Sequence, residues 1–521
     1  MARIARNTFI FSVATGLSRI AGLAREIVAS SYFATSGAFS AFTIAFQVPN
    51  LIRSLFADAA LSAAFVPVFT ELLERDKRKE AFQLASTLFF LILGVLGAIA
   101  AAFMIAAPYL MPLFTGDTFD RHLDDLTAGL SQVLFPIVVL LGLNGLLQGI
   151  LNAYDHFTVP AISPVVWNLV ILAFLVGGRS WFDGDEELYA YAIGVLVGTL
   201  VQLLMLVPVF RRLDFQVALT FRPRDERVRR VLILMLPVTI GLGLINFNLL
   251  INSTLGSLVS ENAPRAIDAA FRIYMLPQGM FSVAVATVLF PTLSRLATRG
   301  DRDGLRSLTA QGMRQIFLLL IPAAACTLVL AEPITRLIYQ HGDFGPHDTD
   351  RVASALFWFS FSLPFSGVNL LLTRTFFSLQ RPWIPTGLAS GNLLVNVVVS
   401  VALYKPFGIA GIVIGTAVSS LTTTLSQAYF LRSELHGRLE ARETVAAVAR
   451  MVVAAALLGA VAYGWWWALD RAIGDSVVAQ AIAVGTALAA GLVVYAAAVL
   501  VARVPEAVYI RGVIARRFYP R

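Results

Sequence analysis

The chain has 521 residues, 58% of them apolar and 14% charged, with a formal net charge of +8 and a mean hydropathy of +0.76. That composition excludes an ordinary soluble fold and describes an all-α polytopic membrane protein. The single cysteine, Cys326, excludes an intrachain disulfide and a cysteine metal cluster, and the five histidines are scattered through polar connections, so neither a metal site nor a cofactor is expected.

Windows of about twenty apolar residues predict fourteen transmembrane helices, near 8–33, 37–70, 82–110, 126–153, 159–177, 188–210, 231–259, 265–294, 308–330, 352–379, 383–404, 409–431, 446–469 and 478–502. The second and eighth are longer than one crossing requires and contain proline, which predicts broken or strongly tilted helices. Arg3 and Arg6 precede the first apolar run as in a secretory signal, but the run is too long and too charged, so a retained span is expected. Of the 40 Lys and Arg, 28 fall in connections assigned to the cytoplasmic side, seven (Arg265 among them) in outer connections and five in spans. This bias predicts cytoplasmic termini in a bacterial inner membrane. It also explains the basic runs 75-RDKRK-79 and 222-RPRDERVRR-230 through topology and anionic headgroups; no aromatic platform beside them suggests nucleic acid.

The first span carries the strongest functional signal. Ser18, Arg19, Gly22, Arg25 and Glu26 recur at i, i+3, i+4, i+7 and i+8 and share one helical stripe. A charge at the bilayer centre costs about 3 to over 10 kcal/mol if it faces lipid, so the stripe must face protein or water. The competing reading is a packing ion pair between Arg19 and Glu26. Further intramembrane charges are Arg53 and Asp58 in the second span, Arg272 in the eighth and Arg374 in the tenth. Together they form a positive surplus suited to an anion, and the guanidinium fork matches phosphate or diphosphate oxygens. Arg272 is equally consistent with snorkelling outward, and Arg374 reads as a snorkelling residue. Glu26 and Asp58 read as counter-ions as readily as ligands for a coupling cation. No carboxylate is assigned to the C-terminal spans, which fits transport driven by membrane potential; a sodium or proton site built from asparagines and backbone carbonyls is the alternative.

Segments recur at an offset of 224 to 225 residues: 142-GLNGLLQGILNAYDHFTVP-160 aligns with 367-GVNLLLTRTFFSLQRPWIP-385, and 64-AFVPVFTELL-73 with 288-VLFPTLSRLA-297. Six spans separate the copies, so the repeat is parallel. It predicts two six-helix lobes related by a pseudo-twofold axis along the membrane normal, with a site between them. The division is an N-lobe at 1–215, a C-lobe at 216–435, and two extra helices with a tail at 436–521. Small residues in these last helices (Gly459, Ala460, Gly485, Gly491) suggest a shallow groove for a lipid tail, or ordinary helix packing.

The stretches 18-SRIAGLARE-26, 49-PNLIRSLFADAALSAAFVP-67 and 271-FRIYMLP-277 resemble the MurJ (MviN) family of lipid II flippases, within the multidrug/oligosaccharidyl-lipid/polysaccharide exporter superfamily. The resemblance implies alternating access, a lipid groove built by the two extra helices, and an undecaprenyl-diphosphate-linked peptidoglycan precursor (lipid II) as substrate, carried from the inner to the outer leaflet. Carried over by position, it implies substrate binding by Ser18, Arg19, Arg25, Arg53 and Arg272. Two acidic positions of the family are Ser40 and Phe271 here, while Glu26 is kept. A monomer that meets membrane lipids and the cell-wall synthesis machinery is expected, with no enzyme activity. The alternatives are a flippase for another polyprenyl-diphosphate oligosaccharide, a cation-coupled drug exporter, which would need an acidic cavity, and a membrane glycosyltransferase, which would need a catalytic carboxylate in an outer loop such as 183-DGDEE-187.

Overall fold

The structure is a computed structural model. It describes every residue except 1, 57–58, 155, 157, 211–212, 214–219, 436, 438, 475 and 519–521; at 2–12, 55–56, 59–63, 237–238, 241–242, 245, 510 and 513–518 it describes the backbone alone. Asp58 lies outside the described residues.

Among the described residues the secondary structure is helical throughout. The α-helices are α1 (Ala2–Phe33), α2 (Gly37–Phe56), α3 (Ala59–Glu74), α4 (Arg78–Leu110), α5 (Arg121–Leu134), α6 (Ile137–Ala153), α7 (Thr158–Gly177), α8 (Leu188–Phe210), α9 (Glu226–Ser257), α10 (Ala263–Pro277), α11 (Val283–Thr298), α12 (Arg302–Val329), α13 (Ala331–Tyr339), α14 (Pro346–Ser378), α15 (Trp383–Phe407), α16 (Ile409–Glu434), α17 (Ala441–Ile473), α18 (Val477–Val501) and α19 (Pro505–Phe518). Eleven helical segments among the described residues are long and apolar enough to cross a membrane. The expected spans 8–33, 37–70 and 231–259 coincide with α1, with α2 plus α3, and with α9, which are helical but fall outside that set. The expected eighth span is broken, as its length and proline predicted. Between α10 and α11 the chain passes through a π-helical stretch, Gln278–Ser282, directly after Pro277, a register change that α-helices adopt at functional or strained positions.

The chain forms two compact units, one of residues 1–265 with 341–344 and the other of 266–340 with 345–521. In the first, α1 lies on α7, α7 on α8, and α9 packs against both α2 and α3. The N-terminus of α9 is tied to the α3–α4 turn by ions: Arg227 donates to Asp225 (2.9 and 2.8 Å) and to Glu80 (2.5 Å), and Arg230 to Glu71 (3.1 Å). The Arg227 hydrogen bond holds the Asp225 carboxyl below its ordinary range and raises the Arg227 guanidinium in turn. In the second unit, α14 packs on α12 and α16, α15 on α16, and α17 bridges α12 and α18. Arg314 of α12, nearly buried, joins Glu440 (2.8 Å) at the start of α17 and Glu506 on α19.

The internal repeat is visible as one contact made twice. A Cβ on Gly142 of α6 would stand 2.7 Å from Leu96 and 2.9 Å from Ile92 of α4; one on Gly367 of α14 would stand 2.2 Å from Leu320 and 3.0 Å from Ile316 of α12. All three residues of the first contact lie 224 to 225 positions before those of the second. Each glycine lets two helices approach where any side chain would hold them apart. Gly367 is the tighter, because Ser282 also stands 2.5 Å from its would-be Cβ. Alanine gains about 1 kcal/mol of helix propensity over glycine, against an overpacking cost of about 1–3 kcal/mol. We therefore expect Gly142→Ala to be near neutral and Gly367→Ala to lower the melting temperature, read by thermal size-exclusion chromatography of detergent-purified protein.

Candidate functional site

α1 carries its polar stripe against α7. Asn168 of α7 donates from Nδ2 to Pro164 O (3.0 Å) and Ser18 O (3.4 Å), and its amide fills the space beside Gly22. Ser18 thus meets α7 through its carbonyl, and its side chain is half-buried. One turn later Arg25, 8% exposed, places its guanidinium 5.0 Å from the centroid of the Trp167 ring. The indole is held by its Nε1–H, which donates to Thr199 (3.0 Å) on α8. Among the described residues Arg25 makes no hydrogen bond or ion pair with protein, and its Nε is buried without a partner. A cation on an aromatic face gains about 0.5–2 kcal/mol, less than the desolvation of a guanidinium. Arg19 is exposed on the same helix.

Glu26 points elsewhere. Its carboxylate receives Arg265 Nη2 at 2.5 Å, with the two side chains 4% and 1% exposed. The same nitrogen donates to Ser30 (2.8 Å), the guanidinium lies 4.0 Å over the Phe39 ring, and the Arg265 backbone N–H donates to Ser40 (3.3 Å). This corrects two sequence readings: Glu26 is not the partner of Arg19, and Arg265 is no outer-loop residue but a buried side chain of α10.

Arg53, half-buried on α2, donates from Nε to Asn50 (2.9 Å), whose amide donates to Asn246 (2.8 Å) of α9. In the second unit Arg272 donates from Nε to Asp268 (2.8 Å), one turn earlier on α10. Asp268 overturns the expectation of C-terminal spans without a carboxylate. Arg265, Asp268 and Arg272 recur at i, i+3 and i+7, the same stripe arithmetic that singled out α1, and applying it here would have found both missed residues. Arg374 is half-buried and sits 5.4 Å over the Phe290 ring, a packed position for a side chain expected to snorkel.

The second unit also holds an apolar groove of about 1150 Å³, lined by Leu318, Pro322 and Cys326 of α12, Leu492 and Tyr495 of α18 and Arg511 of α19. Gly459 and Ala460 line a smaller cavity of about 430 Å³ beside α12 and α14. Gly491 instead packs against Leu458 and Ala462 of α17, so it serves helix contact.

These features define a multi-pass helical membrane protein with a basic stripe on α1, and its fold is shared with solved transporters. It matches a structure described as lipid II flippase MurJ, inward closed conformation (TM-score 0.76, 21% identity, 97% of this chain and 100% of the other). It also matches an inward-facing multidrug resistance MATE family transporter of the MOP superfamily (TM-score 0.70, 15% identity, 82% and 98%). The sequence profile described as Lipid II flippase MurJ matches residues 29–500. A probable lipid II flippase MurJ of Rhizobium meliloti is 30% identical over 452 residues, 86% of this chain and 84% of that protein. The lipid II flippase MurJ of Burkholderia cenocepacia is 30% identical over 421 residues, 79% and 80%. The chain belongs to the lipid II flippase MurJ family.

Water access to the stripe is testable with thiols, since the sole native cysteine is buried and thiolate reactivity requires solvent. Arg19→Cys should react with a charged, water-soluble thiol reagent in intact membranes. Ile20→Cys, exposed at 66% on the neighbouring apolar face, should not.

Proposed function

We propose that the chain carries lipid II from the inner to the outer leaflet of the bacterial cytoplasmic membrane by alternating access, with Arg19, Arg25, Arg53 and Arg272 binding the diphosphate and Ser18 beside them. The buried guanidinium of Arg25, lying on Trp167 without a carboxylate partner among the described residues, carries this reading. An anion supplies the charge that protein withholds, and a diphosphate offers paired oxygens to the guanidinium fork. Glu26 serves as counter-ion to Arg265; Asp58 is proposed in the same role from sequence. Transport without catalysis is part of the same proposal.

The proposal counts fourteen spans by taking α1, α2 with α3, and α9 as crossings, with both termini cytoplasmic. It takes the lobes of the repeat (1–215 and 216–435) as the parts that alternate, and 436–521 as an addition that serves the lipid. The polyprenyl tail occupies the apolar groove along α12 and α18, where its CH₂ groups find a lining mostly of Leu, Ala, Val and Pro. The protein works as a monomer alongside the cell-wall synthesis machinery.

Arg25→Lys keeps the charge but loses the fork. Lipid II transfer in proteoliposomes should fall about tenfold or more, a loss near 1.4 kcal/mol of binding, while membrane insertion survives; full transfer by the lysine variant would leave only an electrostatic role. Ala323→Phe, which fills the groove from α12, should slow transfer of the full-length prenyl substrate more than that of a short-chain analogue, measured in the same vesicles.

A further inference from the structure

We infer that Arg265 is a built-in cation: a tethered guanidinium that occupies the place where Glu26 would otherwise recruit a proton or an alkali cation from solution, so that lipid transfer does not draw on either gradient at this carboxylate. The inference rests on the flippase reading for its transport readout.

Arg265 is the largest of the fully buried side chains. Its guanidinium is fixed from three directions by the Glu26 carboxylate at 2.5 Å, the Ser30 hydroxyl at 2.8 Å and the face of Phe39 at 4.0 Å. Its position near the start of α10 fixes the backbone as well. The Arg265 N–H is one of the donors that a helix N-terminus leaves without an internal acceptor, and Ser40 takes it. Arginine remains charged at every physiological pH, so this counter-charge does not leave, whereas a bound proton or sodium ion would come and go with the medium.

The neighbouring charged groups have settings of their own, among them Asp343, whose backbone N–H donates to Ser31 O on α1 (2.9 Å). On α1, Arg25 lies on Trp167 and Arg19 is exposed. α2 brings Phe39 and Ser40, and its one charged side chain, Arg53, is bonded to Asn50. α7 has no ionisable side chain. On α10, Asp268 is taken by Arg272. Arg265 is thus a positioning residue: it sets the charge state and orientation of Glu26, next in sequence to Arg25, without itself contacting the substrate.

The test uses the full chain in proteoliposomes, following transfer of a fluorescent lipid II at symmetric pH from about 6 to about 8, with sodium present or replaced by N-methylglucamine. Wild type and Arg265→Lys, which keeps a tethered cation, should change less than about twofold across the series. Arg265→Gln should become dependent on protons or sodium, by about tenfold per pH unit at the steepest, and Glu26→Gln/Arg265→Gln should be flat again. A flat, sodium-indifferent Arg265→Gln, or a wild type that requires sodium, overturns the inference. If Arg265→Gln does not fold, recovery of folded protein in the double variant supports the pairing and its absence overturns it. Melting temperatures of the same proteins against pH and sodium give a second readout: the single variant should be stabilised by acid or sodium and the wild type should not. Absence of transfer by wild type would reject the flippase reading, while the melting series would still decide the role of Arg265.

Discussion

A guanidinium at membrane depth has to be solvated by something, and the organisation of this protein follows from how each is supplied. Arg265 is met by a buried carboxylate, Arg272 by one a turn away, and Arg53 by a chain of two asparagines. Removing one partner of such a buried pair costs about 3–5 kcal/mol, because the other is left uncompensated, whereas exchanging both for apolar groups is often neutral. The Glu26–Arg265 pair and the Asn50–Asn246 bond therefore hold helices in register more than they add stability. Arg25 is the exception, since an indole face offsets only part of its desolvation.

Around these charges the scaffold is built by close helix approach. The α4–α6 and α12–α14 contacts use a glycine at equivalent places in the two copies of the repeat, each opposed by a leucine and an isoleucine one turn apart. Without a hydrophobic drive between helices inside a bilayer, such van der Waals contact and a few interhelical hydrogen bonds provide the adhesion. The Trp167–Thr199 bond and the Asn392–Thr423 bond (2.7 Å) play that part in the two copies, with the two threonines again 224 positions apart. The second copy also contains the π-helical stretch at 278–282.

The C-terminal additions follow a different logic. α17 and α18 carry exposed apolar side chains such as Val453 and Val493, as lipid-facing helices do. The start of α17 and the start of α19 are anchored to α12 through Arg314, Glu440 and Glu506. That anchor leaves the long apolar surface between α12 and α18 open, while α19 brings Ala507 and Arg511 to its lining.

Much of this was legible in the chain itself. Hydropathy and the Lys/Arg bias determine a polytopic helical protein, because the bilayer demands long apolar runs with internally bonded backbones. The repeat is readable because both copies keep glycine, asparagine and proline at matched positions. The α1 stripe is readable because a charge in an apolar run has no cheap alternative to function. Partnership was not legible. That Glu26 belongs to Arg265, 239 residues away, that Trp167 lies under Arg25, and that Asn246 supports Arg53 through Asn50 are facts of helix packing. Helical periodicity reports which residues share a face and carries no information on which other helix that face meets. The groove had the same limit: small residues in the last two helices pointed to it, yet Gly491 went to helix contact and the walls came from α12 and α18. Only the tertiary structure decides which small side chains leave a space and which are filled by a neighbour.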